Sequence, residues 1–193
     1  DVFKVYDIVD MNNKLYFYVD DKNRITDKKQ KSLLLFDGRS FKNIYNNISL
    51  KNITSQSGGL LLEVKENDTN MSKINRYFFD FETIIPDITS KLWTETKDGV
   101  LFVSGREASS KAYQIYYIKS RLHKHIATDL EAKDVLAIKY PYYLIYAKNN
   151  EKGSKTRYDN NLYLYNIDNN SLELIAPDLD LKNFLYVEPK NTI

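Results

Sequence analysis

Cysteine is missing from all 193 residues of the chain. That absence removes disulfide staples, thiolate nucleophiles and cysteine-type zinc sites together. Glycine occurs six times, proline four times, histidine twice and tryptophan once. A glycine-rich phosphate loop or a histidine-built catalytic centre therefore has little to draw on, and no phosphate loop, nucleophile elbow or His-Glu zinc helix is found. No stretch reaches the roughly 20 consecutive apolar residues of a membrane helix, so no membrane span is expected. An excess of one charge is also lacking: 28 Lys and Arg face 26 Asp and Glu, a formal +2. That balance is too even for a protein that coats nucleic acid, and no nucleic-acid partner is expected.

Aromatic and branched side chains are plentiful, with 16 tyrosines and nine phenylalanines beside many Ile, Leu and Val. Such side chains pack well on a pleated surface. Apolar positions do not hold the i, i+3, i+4, i+7 spacing of a helix. The expectation is an all-β chain, 22.7 kDa, forming one domain over 1–193.

The apolar bursts recur. One set begins at Leu15, Leu60, Val100 and Tyr143, with first residues 45, 40 and 43 positions apart. A second follows each after a polar gap, at Leu34–Asp37, Tyr77–Asp80, Tyr116–Lys119 and Tyr163–Asn166. A weaker third lies at Phe41–Tyr45, Thr83–Ile85, Leu122–Ala127 and Leu172–Ile175, and then a turn of shared character: Asn47-Ile48, Pro86-Asp87-Ile88, Thr128-Asp129-Leu130, Pro177-Asp178-Leu179. A fourth set opens each unit, at Phe3–Val9, Leu50–Thr54, Ser90–Glu95 and Val135–Tyr140. Four strands per unit with a period in the forties is the pattern of a β-propeller blade, whose faces are buried by stacking on neighbours. The expected blades are 3–48, 49–88, 89–134 and 135–181, and Phe184-Leu185-Tyr186-Val187 reads as an extra first strand at 182–188, the start of a fifth blade. On this reading the chain is expected to be a piece of a longer propeller or to close its ring in an unusual way. An open meander or sandwich of about sixteen short strands would use the same spacing.

In the third unit, "LWTETKDGVLFVSG", Leu92 to Gly105, resembles the TolB-type propeller repeat, a WD-like β-propeller unit in which an apolar-aromatic strand leads through a Ser-Pro-Asp-Gly turn to an apolar strand. Asp98-Gly99 matches the end of that turn, while Thr96-Lys97 stands where the family has Ser-Pro. The other units keep only the strand pattern. The resemblance implies an extracytoplasmic setting, whether periplasmic, envelope or secreted, and a role as a partner in protein assemblies.

In a propeller, function gathers on the loops that join strand two to strand three and one unit to the next. The first kind is rich in basic residues, among them Lys22, Arg24, Lys28, Arg106, Lys111, Lys148 and Arg157, a rim suited to an acidic partner; solvated loops in a Lys-rich chain would look the same. Asp87, Asp129 and Asp178 occupy equivalent connections. Carboxylates converging there would suit calcium, though Asp is equally a turn former through its own backbone bonds. His123 and His125 lie two apart on a predicted strand without a third ligand, and Trp93 is either core or a stacking platform. The sequence thus points to a non-catalytic propeller module that binds a protein through its loop face, with Asp87, Asp129, Asp178, Trp93, Arg106, Lys111 and Arg157 as candidate binding residues. No cofactor is called for unless calcium binds. The alternative is an axial-site hydrolase of glycans or lactones using the aspartates, possible with calcium.

Overall fold

The computed structural model describes residues 4–11, 13–22, 29–46, 48–56, 59–66, 72–77, 81–120, 122–150 and 160–179. Strand follows strand, and no helix occurs among them. The first unit comprises β1 (Val5–Met11), β2 (Lys14–Lys22), β3 (Lys29–Phe36) and β4 (Phe41–Asn46). Next come β5 (Ile48–Gln56), β6 (Gly59–Glu66), β7 (Ser72–Tyr77) and the 15-residue β8 (Phe81–Glu95). Then follow β9 (Leu101–Glu107), β10 (Tyr113–Lys119) and β11 (Leu122–Thr128). The last unit holds β12 (Leu130–Lys139), β13 (Tyr142–Asn149), β14 (Asn160–Asn166) and β15 (Ser171–Ala176).

Every pairing is antiparallel between sequence neighbours, giving sheets ordered β1-β2-β3-β4, β5 through β11, and β12-β13-β14-β15. The seven-stranded sheet is two four-stranded units sharing β8. Its first half pairs with β7, down to Ile88 opposite Ser72, and its second half pairs with β9, from Ile88 opposite Glu107 to Glu95 opposite Leu101. The turn expected at Pro86-Asp87-Ile88 is therefore absent, because the backbone stays extended and passes from one ladder to the next. Pro86 has no N–H to offer a ladder, and it falls in the register break between Ile85 and Ile88, where none is required.

Tight turns depend on short-range chemistry. In the β3–β4 hairpin, Gly38 adopts φ +91 while Asp37 Oδ1 accepts the backbone N–H groups of Arg39 and Ser40. Those two bonds hold the Asp37 carboxyl below its usual range. In the β8–β9 hairpin, Gly99 adopts φ +73 and its N–H donates to Thr96 O. Gly105 in β9 answers a different need: a Cβ there would lie 2.4 Å from the carbonyl oxygen of Thr89.

Alternation along each central strand sends apolar side chains both ways. Tyr16, Tyr18, Leu33 and Leu35 of the first unit pack on Ile48, Leu60, Leu62 and Val64 of the second. Leu61 and Ile85, from the opposite face of the second unit, join Leu101, Val103 and Ile118 of the third. Val100, Phe102, Ile115 and Tyr117 of the third meet Ala132, Tyr143, Ile145 and Tyr165 of the fourth. Four sheets thus stack in chain order with an apolar core in each gap. The fourth strands lie at the periphery: β4, β11 and β15 are largely exposed, and β12 packs on β8, β9 and β10 while β11 touches β15 only slightly.

Burial and the strand limits correct three boundaries read from sequence. The second strand of the third unit aligns from Leu101, since Leu101 and Val103 face the preceding unit as Leu60 and Leu62 do, whereas Val100 faces the following one. The third strand of the second unit is Ser72–Tyr77, earlier than the Tyr77–Asp80 burst. The break expected at 134/135 falls inside β12, so that unit begins at Leu130. The extra strand expected at 182–188 lies outside the described residues.

Candidate binding surface

The even-numbered ends of the meanders build one end of the stack: hairpins joining second to third strands, and connections joining fourth strands to the next unit. In the β9–β10 hairpin, Arg106 Nε donates to Lys111 O at 2.8 Å and the Lys111 N–H donates to Glu107 O at 3.0 Å, with Lys111 at φ +57. Both cationic side chains remain exposed, as does Lys148 at the end of β13. Beneath them Glu107 Oε2 accepts from Ser110 Oγ at 2.7 Å and from Gln114 Nε2 at 3.3 Å. Gln114 Oε1 in turn lies 2.7 Å from His125 Nε2 and accepts from Thr128 Oγ1. His125 is thereby tied to an amide and set edge-on against Tyr116.

The connecting aspartates have backbone work. Asp129 stands at φ +62, its N–H donating to Tyr113 O at 2.7 Å and its carbonyl accepting from Asn150 N at 2.8 Å. Asp178 stands at φ +54, with its N–H on Asn161 Oδ1 at 3.1 Å and the next N–H, of Leu179, on Asn160 O at 2.7 Å. Asp and Asn tolerate this left-handed conformation better than most residues, so the repeated Asp is explained by the connection it makes. Asp87 occupies the matching place in β8, but its side chain lies outside the described residues, as do Arg157 and the side chains of Lys22, Arg24 and Lys28. Among the described residues no group of three His, Asp or Glu is placed to hold a metal ion. Trp93 is not at this end: it is half-buried against the core between the second and third units.

Sequence reasoning missed two polar features. The first sits on the second strand of the first three units, on the face turned to the next unit. Tyr18 OH donates to Ile48 O at 3.2 Å and accepts from Leu50 N at 3.1 Å. Ser104 Oγ accepts from Ala132 N at 3.0 Å. Leu50 and Ala132 each begin a β-bulge in a first strand, which recurs at Val5/Asp7, Leu50/Asn52, Ser90/Leu92 and Ala132/Asp134. Glu63 takes this place in the second unit, where it is fully buried. Its Oε2 accepts from Asn52 Nδ2, while Oε1 accepts no hydrogen bond and lies 3.7 Å from Lys51 Nζ. The visible signal was a polar letter inside an apolar burst, as in Leu62-Glu63-Val64.

The second feature is a tyrosine cluster at the opposite end of the stack, between the third and fourth units. Asp98 accepts from Thr96 Oγ1 and from the Tyr143 hydroxyl, and Asp168 accepts from Tyr140. Lys119 Nζ sits 4.7 Å from the Tyr140 ring centre. Burial opposes ionisation of Asp98, but hydrogen bonds from Thr96 and Tyr143, with Lys119 nearby, outweigh it and hold the carboxyl below its usual range. Burial first, and then the bond to Asp98, push the Tyr143 phenol upward. Compared with protein-family models and with curated proteins, the chain matches none.

Proposed function

We propose that the stacked units are consecutive blades of a β-propeller that acts as a non-catalytic binding module, meeting a protein partner at the end built by the β9–β10 hairpin and the inter-unit connections. The observation that carries this reading is the stack itself. One four-stranded meander occurs four times, the units pressed together in chain order, with the second strands largely buried and β4, β11 and β15 outermost. Sheets gathered toward their first strands and spread toward their fourth are the wedges from which a propeller is made. Loops held on such a scaffold are suited to recognition. Arg106, Lys111 and Lys148 give the described part of this end exposed positive charge, which favours an acidic partner surface. The extracytoplasmic setting implied by the TolB-type resemblance belongs to the same reading.

The test compares three forms of the chain as bait in extracts of its source: the unaltered protein, Arg106→Glu/Lys111→Glu/Lys148→Glu, and the opposite-end control Arg39→Glu/Lys97→Glu. The expected result is a partner retained by the first and third and reduced about tenfold or more by the second, a loss of about 1.4 kcal/mol. Equal recovery by all three, or none by any, overturns the reading.

A further inference from the structure

The hydrogen bonds behind the β9–β10 hairpin run in a single direction, and they start on the outermost strand of the third unit. Alternation along β9 puts Glu107 on the opposite face from Arg106. The Glu107 carboxylate is met by Ser110 Oγ at 2.7 Å and by Gln114 Nε2 at 3.3 Å. A carboxylate only accepts, so the NH2 end of the Gln114 amide faces Glu107 and the carbonyl end faces β11. Gln114 is buried, and both ends of its amide need partners. Its Oε1 accepts from Thr128 Oγ1 at 3.0 Å and lies 2.7 Å from His125 Nε2. An amide oxygen has no proton to give, which leaves His125 Nε2 as the donor. The neutral imidazole is therefore the Nε2–H tautomer, with its lone pair on Nδ1. Thr128 Oγ1, 3.3 Å from the same ring nitrogen, spends its own proton on Gln114 and so meets Nε2–H as an acceptor.

We infer that Gln114 and His125 are positioning residues for the proposed binding end: their relay from β11 fixes the His125 tautomer and holds the one carboxylate of the hairpin on Ser110 and Gln114 rather than on Arg106 or Lys111. The inference rests on the reading of that end as the binding surface. Glu107 is the only acidic residue between Gly105 and Tyr113, and Arg106 is its neighbour in the chain. Within the hairpin Arg106 Nε donates to Lys111 O, and the Lys111 N–H donates to Glu107 O. Those are backbone acceptors, so both side chains keep their charge exposed. A Glu107 carboxylate released from Gln114 would be the nearest in sequence to neutralise them, and the positive charge offered to an acidic partner would fall. Residues on β10 and the outer strand thus set the charge of a loop without standing on its exposed face.

Proton–nitrogen correlation NMR of the nitrogen-labelled full chain reads the tautomer directly, with His123→Gln assigning the ring signals. At about pH 8, above the usual histidine range, His125 is expected with a protonated Nε2 and an unprotonated Nδ1. In Glu107→Lys a donor replaces the acceptor, which turns the Gln114 amide round and moves the His125 proton to Nδ1. Glu107→Gln, whose carbonyl still accepts, should keep the tautomer of the unaltered chain. Loss of packing alone would not move a proton between ring nitrogens in one variant and leave it in the other. An Nδ1–H tautomer in the unaltered chain, or an unmoved proton in Glu107→Lys, overturns the relay. In the bait comparison above, Gln114→Leu should reduce the retained partner about twofold to fivefold, the span of one exposed ion pair newly formed on the cations. Gln114→Leu/Glu107→Gln, with no carboxylate left to release, should restore it. Full retention by Gln114→Leu overturns the positioning role. If the unaltered chain retains no partner, the binding reading falls, and the tautomer readings still decide the relay.

Discussion

The junction between the third and fourth units and the junction between the second and third solve one problem with different chemistry. Both must cover apolar sheet faces, and both place a polar side chain of the second strand at the same position against the neighbouring unit. At the third–fourth junction a small neutral hydroxyl, Ser104, meets Ala132 N, and the core holds Phe102 in ring contact with Tyr143 and Tyr165. At the second–third junction the equivalent position is a buried carboxylate with one oxygen accepting no hydrogen bond, and the described core is built mainly from Leu, Ile and Val. A repeated backbone therefore fixes where a polar group is wanted, while these two units supply different ones, and not equally well. Burying a charge without full partners costs more than burying a hydroxyl with one.

Adjacent residues of β9 report the two junctions separately. Phe102→Ala should cost about 3–5 kcal/mol by loss of a fully buried ring, and Leu101→Ala, facing the other junction, about 2–4 kcal/mol, within the ranges for such truncations. Urea unfolding checks both, and a larger loss at Leu101 would invert the ranking. The shared polar position should show opposite signs. Ser104→Ala leaves the buried Ala132 N–H without an acceptor and should lower stability by about 1–3 kcal/mol. Glu63→Leu removes an under-satisfied charge and should leave stability unchanged or raise it by about 1–4 kcal/mol, as seen when buried ionic groups are replaced by packed apolar ones. A clear drop with Glu63→Leu would show that the bond from Asn52 and the ion pair with Lys51 outweigh the cost of burying the carboxylate.

A third comparison uses pH. Asp98 has a folded pKa below its unfolded one, so its contribution is present above pH 3.8 and is lost as pH falls further. Tyr143 has a folded pKa above the usual 10.0, so its contribution is present below pH 10.0 and is lost as pH rises beyond it. Melting temperatures across pH should therefore decline less steeply at the acid end in Asp98→Asn and at the alkaline end in Tyr143→Phe. An unchanged slope in either variant would separate that residue from the pair. The smallest effect is expected at the exposed bond between Thr54 and Glu95, where Thr54→Val should cost about 0.5 kcal/mol. A loss several times larger would mean that the second junction depends on its rim more than on its core.

Much of the strand order was readable, because period-two alternation and a repeat in the forties leave few alternatives for a chain rich in Tyr, Phe, Ile and Leu. Less of the candidate surface was. Arg106 and Lys111 do share one hairpin, and Asp129 and Asp178 do share one kind of connection, yet the left-handed backbone that explains those aspartates is invisible in a string of letters. Trp93 was ambiguous for a related reason, since only packing against the second–third core separates a core ring from an exposed platform. Pro86 misled because proline signals a turn on average, while a strand that leaves one ladder for another can carry it at the crossing.

Local chemistry in the sequence was enough to establish an all-β chain, its four meanders and the turn at Asp98-Gly99, because these depend on neighbours a few residues apart. The tertiary structure alone decided which face of the central strands meets which unit, that β8 serves two sheets, and that Tyr18, Glu63, Ser104 and Tyr146 hold one position in four units. A one-residue slip in register reverses every side chain, and only contact between sheets distant in sequence selects among such slips.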